Sequence, residues 1–229
     1  MANKQINTSH LNYSPLLAIF DLDGTLTKRD TYIPFLLFIL KHRPIRIFYV
    51  SILPFFIVFF YFKIIDNNKL KQLFLSAFLK RAKVEKVLVL ASQFVDQLLK
   101  TGMSSIGLQL LRYHQDQGDN VLMATASFDI YVRILAKHLN VDEVVCTEAE
   151  VVGGRFTGKI NRLNCHGNEK LRRIKQYLGN IDKKMTIAYS DDIIDFPMLQ
   201  WAAKGCLVTP SRKCLKDPKS KGFKIIKKC

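Results

Sequence analysis

The chain lacks the features that mark several classes of protein. Its 229 residues hold no internal repeat and no C-x-x-C pair, and its five cysteines are odd in number. This argues against a zinc framework and a disulfide scaffold, so we expect reduced thiols in a cytoplasmic protein. The first fifteen residues are polar and hold no apolar signal core. No secretory peptide is therefore predicted, and residues 1–14 are expected to form a loose leader.

Acidic residues are scarce. Only 19 Asp and Glu stand against 35 Lys and Arg, which gives a net charge of +16. Such a surplus implies an anionic partner, which is nucleic acid, an anionic membrane or a phosphorylated substrate. No nucleic-acid-binding motif is present, and the aromatic residues concentrate in one apolar block instead of among the basic residues. We therefore expect a membrane surface or a phosphorylated substrate, and no nucleic acid, as the partner.

An uncharged run of the length of a membrane-spanning helix is also missing. The longest, residues 47–62, has 16 residues and contains Pro54, whereas a span needs roughly 20 apolar residues and an internal proline kinks a helix. This run belongs to an apolar block, residues 31–66, that holds eight of the sixteen Phe. Two apolar arms, residues 33–40 and 47–62, flank a basic cluster formed by Lys41, His42, Arg43 and Arg46. The pattern predicts a membrane-associating hairpin at about 31–66.

Two other interpretations of this block stay open. One is a buried helical pair in a soluble cap, although a small cap cannot easily bury eight Phe. The other is a pair of tight membrane passes, which would carry Arg43 and Arg46 to the far side, against the positive-inside tendency. Contact with the membrane surface is favoured because basic residues beside an apolar face suit anionic headgroups, each contributing about 1 kcal/mol.

The remaining pattern predicts one core domain with an insertion, for which 229 residues and 48% hydrophobic content are sufficient. Helical stripes over residues 70–78 and 84–98, the first capped by Asn67 or Asn68, complete an inserted helical cap at about 28–100. Gly153 and Gly154 predict a hairpin. A short edge strand is predicted around Phe223, Ile225 and Ile226.

One stretch, LLAIFDLDGTLT at residues 16–27, predicts the chemistry. An apolar run delivers Asp21 and Asp23 at its end, and open α/β sheets present reactive groups at the carboxyl ends of their strands. One acid can act as nucleophile and metal ligand, and the other as general acid and base. A calcium loop is disfavoured, because Thr25 and Tyr32 occupy positions where it needs acids. A simple surface turn is the remaining alternative.

Three later stretches supply polar residues beside predicted strands and helices. A strand over 121–124 ends at Thr125, whose hydroxyl can hold a phosphate oxygen. Lys170 begins an amphipathic helix, and a strand over 185–189 runs into Asp191 and Asp195, four residues apart on one helix face. Taken alone, each has an ordinary explanation, namely a strand end, a solvated lysine or helix capping. With Asp21, the last two acids would form a hard-oxygen cluster suited to Mg²⁺.

The four motifs in this order resemble those of the haloacid dehalogenase superfamily, over residues 16–210. The insertion between the first and second motifs is similar to that of the phosphoserine phosphatase-like enzymes, subfamily IB. Among these, the bacterial phosphatidylglycerophosphatase C enzymes look most similar, because they share an apolar and basic cap hairpin, a third motif like Cys165–Lys170 and a Ser-Asp fourth motif like Ser190-Asp191. Ser190 departs from the Gly that most members of the superfamily carry there.

The resemblance implies a Rossmann-like, doubly wound and mostly parallel α/β core (residues 1–27 and 101–229) with an inserted, apolar α-helical cap (28–100). It further implies a Mg²⁺-dependent phosphatase in which Asp21 attacks phosphorus and forms an aspartyl-phosphate, while Asp23 protonates the leaving oxygen and then activates water. The metal would be held by Asp21, Asp23 through its carbonyl, Asp191 and Asp195. Substrate binding would fall to Thr125, Lys170 and Asp30.

The expected substrate is a membrane lipid phosphate such as phosphatidylglycerophosphate, hydrolysed at the cytoplasmic face of a bacterial inner membrane. A soluble small-metabolite phosphatase in the cytoplasm is the first alternative. Asp30 favours it, since phosphoserine phosphatases place a substrate-recognising Glu at this position. The second alternative is a non-catalytic membrane-binding adaptor on the same fold, against which the intact set of acids argues.

Overall fold

The computed structural model describes residues 16–227, so the predicted leader and Cys229 lie outside the described range. Within that range, six strands form one parallel sheet and two form a separate antiparallel hairpin. The strands are β1 Leu17–Phe20, β2 Asn120–Phe128, β3 Glu143–Thr147, β4 Ala149–Val152, β5 Arg155–Ile160, β6 Thr186–Ser190, β7 Lys204–Val208 and β8 Lys224–Ile226. The sheet order is β3-β2-β1-β6-β7-β8. This confirms the predicted α/β class, the β4–β5 hairpin and the short edge strand.

Within residues 16–227, six α-helices lie between β1 and β2, the first five of them where the insertion was predicted, and four follow β2. In chain order they are α1 Tyr32–His42, α2 Ile47–Val50, α3 Leu53–Tyr61, α4 Asn67–Leu79, α5 Val84–Thr101, α6 Ser105–Asp116, α7 Asp129–His138, α8 Asn168–Leu178, α9 Phe196–Trp201 and α10 Arg212–Lys216.

Side chains that alternate along β1 explain why both faces of the sheet are covered. Ala18 and Phe20 belong to a buried cluster with residues of α5, α6 and α7, whereas Leu17 and Ile19 belong to a second cluster with residues of α8 and α9. Successive side chains of a strand point to opposite faces, and a parallel sheet buried on both faces needs an uninterrupted apolar run. Such a run is what the sequence offers before Asp21.

The two arms of the predicted apolar hairpin differ in structure. In α1, Phe35, Leu36 and Ile39 are buried in the core, so this arm packs into the fold and the prediction that it contacts a membrane is wrong for that face. The segment Pro44–Tyr61, which contains α2 and α3, has only 6% of its residues buried. By length and composition alone it is apolar enough to cross a membrane, although it is broken between α2 and α3 at Ser51 and Ile52.

Two details of α4 also differ from the prediction. Asp66 caps this helix by accepting a hydrogen bond from the Lys69 backbone N–H at 2.7 Å, so the prediction of Asn67 or Asn68 as the cap is wrong. The β4–β5 hairpin packs against the same helix. Gly158, with φ of +89°, lies so close that a Cβ there would come within 2.8 Å of the Ser76 Cα. The hairpin thus joins the inserted helices, although it lies far from them in sequence.

Candidate active site

The carboxyl ends of β1, β2 and β6 lie side by side, because β1 pairs with both of the other strands. The segments that follow them enclose a cleft of about 380 Å³. Ala126, His166 and Lys170 line it together with six acidic residues, which are Asp21, Asp23, Asp30, Asp191, Asp192 and Asp195. The structure therefore brings every predicted site residue to this cleft except the side chain of Thr125, which is fully buried.

The turn after β1 is shaped by Gly24. Its φ is +81°, a left-handed conformation that glycine adopts without strain. A Cβ at this position would lie 2.2 Å from Asp191 Oδ2, so only glycine allows the turn to approach the fourth motif. This close approach places Asp191 beside the two acids of the first motif.

Asp21, Lys170 and Asp195 form a buried chain of charges. The Lys170 ammonium donates to Asp21 Oδ1 and to Asp195 Oδ2, both at 2.7 Å, and the Ser190 hydroxyl donates to Asp195 Oδ2 at 2.8 Å. Burial opposes the charged form of Lys170, but the carboxylates of Asp195 and Asp21 raise its pKa, so it stays an ammonium. Burial raises the pKa of Asp21 well above its ordinary value, and the Lys170 ammonium opposes this rise. Lys170 thus favours the ionised form of the Asp21 carboxylate.

Asp23 has separate surroundings. Its Oδ1 accepts hydrogen bonds from the Thr31 backbone N–H at 2.7 Å and from the Thr31 hydroxyl at 2.6 Å, and its Oδ2 accepts one from the Ser127 hydroxyl at 2.7 Å. Burial raises the pKa of Asp23, while the Thr31 and Ser127 hydrogen bonds lower it. A carboxyl held in this way can carry a proton in one step and accept one in the next. Because both oxygens are engaged, metal binding by Asp23 would use its backbone carbonyl.

The donor set at the cleft fits a divalent cation of the Mg²⁺ type, although the side chains of Asp21, Asp191 and Asp195 do not form the predicted hard-oxygen cluster. Among residues 16–227, no three His, Cys, Asp or Glu side chains converge on a single point where one ion could bind. The reason is that Lys170 bridges Asp21 and Asp195 while Asp23 faces Thr31. Mg²⁺ usually takes only one or two carboxylates, with water and substrate phosphate as further ligands. Asp21 and Asp191 meet that requirement.

Two observations at the cleft indicate a deficit of positive charge. Asp195 Oδ1 is buried and has no hydrogen-bond partner. Burial, followed by the charge of Asp192, raises the pKa of Asp191 to about 7. An added cation would compensate both carboxyl groups. The residues present are therefore compatible with the Mg²⁺ that the resemblance implies.

Thr125 and Asp30 lie at the margins of the site. Thr125 Oγ1 accepts a hydrogen bond from the Ser127 backbone N–H at 3.0 Å, which stabilises the end of β2. Asp30 is exposed at the mouth of the cleft, and its Oδ2 accepts a hydrogen bond from the Ile33 backbone N–H at 3.1 Å. Thr125 thus supports the strand end, and Asp30 lies at the entrance of the cleft.

Sequence reasoning missed three residues near the cleft, namely Thr31, Ser127 and Lys71. The first two hold Asp23. Lys71 is buried on α4, and burial lowers its pKa to about 8 despite the opposing effect of the Asp23 carboxylate. A signal for Lys71 exists in the sequence, because it occupies the same helical stripe as Leu75 and Phe78, where a lysine is unexpected.

Comparison with known proteins adds independent findings. Residues 18–200 match the family model described as haloacid dehalogenase-like hydrolase. The chain is 29% identical to Protein CicA of Caulobacter vibrioides over 204 residues, 84% of this chain and 85% of that protein. It is 24% identical to phosphoserine phosphatase SerB1 of Mycobacterium tuberculosis over 151 residues, 65% of this chain and 49% of that protein. A solved structure of a protein of unknown function from Bordetella pertussis Tohama I has the same fold, with a TM-score of 0.74, 19% identity, and coverage of 92% of this chain and 97% of that one.

Proposed function

This chain belongs to the haloacid dehalogenase-like hydrolase family and is a phosphatase, and we propose that it acts through an aspartyl-phosphate on a phosphomonoester carried by a membrane lipid. The observation that supports this chemistry is that the two acids of the first motif have different hydrogen-bond partners. Asp21 pairs with the Lys170 ammonium, whereas Asp23 is held by Thr31 and Ser127. Two carboxyl groups in different surroundings can take different roles in one reaction.

In the first step, a carboxylate oxygen of Asp21 forms a bond to phosphorus as the ester P–O bond breaks, and Asp23 gives its proton to the leaving oxygen. In the second step, Asp23 takes a proton from water, whose oxygen attacks phosphorus and releases phosphate from Asp21. Lys170 and the end of β2 hold the transferring group, where positioning and charge supply most of the catalysis. Bound Mg²⁺ would be held by Asp21, Asp191 and the Asp23 carbonyl and would neutralise phosphoryl oxygens.

The lipid part of the proposal rests on the uncovered face of α2 and α3. Phe48 is 74% exposed, Phe55 66%, Tyr61 81% and Phe62 67%. Soluble proteins rarely leave such a contiguous apolar surface open unless it binds a partner or a membrane. Arg43, Arg46 and Lys63 flank the face, and basic residues at that level favour an anionic surface. We place the protein on the cytoplasmic face of the membrane for this reason.

Chain connectivity supports delivery of a lipid headgroup to the cleft. The exposed end of α3 leads through Ile64, which is 67% exposed, to Asp66 at the start of α4. The first turns of α4 in turn contact the cleft wall, because the Lys71 ammonium donates to the Ala126 carbonyl. A membrane in contact with α3 would therefore lie near the cleft.

The test compares Mg²⁺-dependent phosphate release from phosphatidylglycerophosphate in mixed micelles with release from phosphoserine and other soluble phosphomonoesters. A strong preference for the lipid supports the whole proposal, and preference for a soluble ester would remove only its lipid part. The Asp21→Asn variant keeps the shape of the side chain and should lose turnover while staying folded. Near-normal activity in that variant would refute the assigned nucleophile.

A soluble small-metabolite phosphatase is the second candidate, and Asp30 at the cleft mouth favours it. An exposed carboxylate there could bind the ammonium group of phosphoserine. Asp30→Asn should then raise KM for phosphoserine and leave KM for p-nitrophenyl phosphate, which has no ammonium group, unchanged. An equal change for both substrates would argue against this role. Flotation with anionic liposomes separates the two candidates independently of substrate.

A further inference from the structure

Lys71 is a buried ammonium with an unusual set of neighbours. The residue is 7% exposed, and its Nζ donates to the Ala126 carbonyl and, at 2.9 Å, to Asn164 Oδ1. The same Nζ lies 5.0 Å from the ring centroid of Tyr32 and 5.1 Å from that of Phe128. In the part of the chain that the structure describes, no carboxylate forms a salt bridge with it. The groups that contact its ammonium are all neutral.

Both hydrogen-bond acceptors belong to the segments that build the cleft. Ala126 stands between Thr125 and Ser127 at the end of β2, and Ser127 holds Asp23. Asn164 begins the segment that continues through His166 to Lys170. The Lys71 side chain thus contacts the end of β2, which lies beside Asp23. It also contacts the segment that leads to Lys170, the residue that is paired with Asp21.

A second residue reinforces each of these contacts. Thr147 Oγ1 lies 2.8 Å from the Ala126 carbonyl oxygen and 2.9 Å from Asn164 Oδ1, and it accepts a hydrogen bond from the Cys165 backbone N–H at 3.0 Å. Its single proton can serve only one of the two oxygens at a time. The Lys71 ammonium has three protons and serves both at once. Lys71 is therefore the group that ties the two oxygens together.

The helix that carries Lys71 is anchored at the same place by Asn68. Asn68 Oδ1 accepts a hydrogen bond from the Asn164 backbone N–H at 2.7 Å. Residues three apart lie on one face of a helix, so this face of α4 contacts Asn164 through two separate side chains. An apolar side chain at position 71 would avoid the cost of burying a charge but would lose both donated hydrogen bonds.

We propose that Lys71 is a positioning residue for phosphoryl transfer: its ammonium fixes the end of β2 and the segment leading to Lys170 relative to each other and to the inserted helices. The inference rests on the phosphatase activity proposed above but not on a lipid substrate. Lys71 itself does not touch the reacting atoms. It acts through Ala126 and Asn164 on groups that do.

The first experiment measures hydrolysis of p-nitrophenyl phosphate with Mg²⁺ by Lys71→Met, with Lys69→Met as the matched control. Lys69 lies on the same helix, is exposed and loses the same charge. Small displacements of a catalytic group cost up to about a hundredfold in rate, so kcat of Lys71→Met should fall roughly ten- to a hundredfold with KM changed less than about threefold. Lys69→Met should match the wild type. A folded Lys71→Met with the kcat and KM of Lys69→Met, even with a lower Tm, would overturn the proposal.

A second measurement tests the route of the effect. Ser127→Ala loosens Asp23 at the same strand end, so Lys71→Met should lower kcat less in that background than in the wild type. Additive losses would contradict action through the end of β2. If Lys71→Met does not fold, Thr147→Val removes the second support of the same two oxygens with little change of shape. Its kcat should then fall in the same direction, and an unchanged kcat would overturn the inference.

Hydrogen exchange separates this proposal from the proposed activity. The backbone N–H groups of Ser127 and Cys165 are held by Thr125 and Thr147 within the network. Both should exchange faster in Lys71→Met than in Lys69→Met, whatever substrate the enzyme uses. Equal exchange would refute the positioning role. An inactive wild type with the expected exchange difference would instead refute the proposed activity alone.

Discussion

Replacing Phe48, Phe55 and Phe62 together by serine should abolish binding to membranes while leaving the fold intact. Phe48 lies in α2, Phe55 lies in α3, and Phe62 follows α3 directly. All three are mostly exposed, so the substitution removes apolar surface from the outside of the protein and leaves the core unchanged.

The expected magnitude follows from the exposed fractions. Full burial of a phenylalanine side chain is worth about 2.5 kcal/mol. Phe48, Phe55 and Phe62 are 74%, 66% and 67% exposed, so complete insertion gains about 1.7 kcal/mol for each of them. The sum of about 5 kcal/mol corresponds to a loss of between about 10³ and 10⁴ in the partition coefficient. Insertion to a shallower depth gives a smaller loss.

Cosedimentation or flotation with liposomes of phosphatidylglycerol and phosphatidylcholine measures this coefficient. Tyr177→Ser is the matched control, because Tyr177 is an aromatic residue of α8 that is 48% exposed on another element. It should bind as the wild type does. Binding of the wild type should also weaken with salt and with removal of the anionic lipid, since basic residues flank the face. Equal partitioning of the triple variant and the control would refute membrane insertion of this face.

Three further outcomes are expected. Lys170→Met leaves two buried carboxylates without their ammonium, so urea unfolding should show a loss of about 3 kcal/mol at neutral pH and less in acid, where the carboxyls protonate; an unchanged stability would contradict the ion pairs. Gly24→Ala brings a Cβ to 2.2 Å from Asp191 at a φ of +81°, so kcat should fall at least about tenfold with the fold retained by circular dichroism. The hydrogen bond from Arg172 lowers the pKa of Glu169 to about 2. The ionised Glu169 therefore contributes to stability above pH 4.5, and this contribution is lost as the pH falls towards 2. Glu169→Gln should remove this pH dependence from the free energy of unfolding.

The strands and the acids at their ends could be predicted because both depend on local sequence. An apolar run followed by a turn residue identifies a buried parallel strand, and the topology of such a sheet brings the ends of its central strands together. Asp21 and Asp191 reach the cleft for this reason, because they follow β1 and β6 directly. Lys170 lies on α8, and its place in the site was predicted from the order of the four motifs and the resemblance to the family.

The partners of Asp23 could not be predicted in the same way. Thr31 precedes α1 and Ser127 is the penultimate residue of β2, and they meet at one carboxylate only because α1 packs beside the strand end. Polar residues in turns and at strand ends are common. Nothing local distinguishes these two hydroxyls from others in the chain.

Composition also does not predict that the two arms of the apolar block differ in burial. Both α1 and α3 are rich in phenylalanine, yet Phe35 is fully buried and Phe55 is 66% exposed. The difference arises because α1 packs on α5, while the outer face of α3 has no partner within the described chain. Apolar content measures the tendency to leave water. Which surface receives a given side chain depends on tertiary packing.

The membrane proposal and the Lys71 proposal both involve α4. Their tests are separable because they change different residues and measure different properties. One end of α4 follows the exposed segment α3, and its first turns hold the cleft through Asn68 and Lys71. Serine substitutions in α2 and α3 should change partitioning without changing hydrolysis of a soluble ester. Lys71→Met should do the reverse. A variant of either kind that changed both properties would mean that membrane contact and cleft geometry are coupled through α4, because this helix is the element that the two surfaces share.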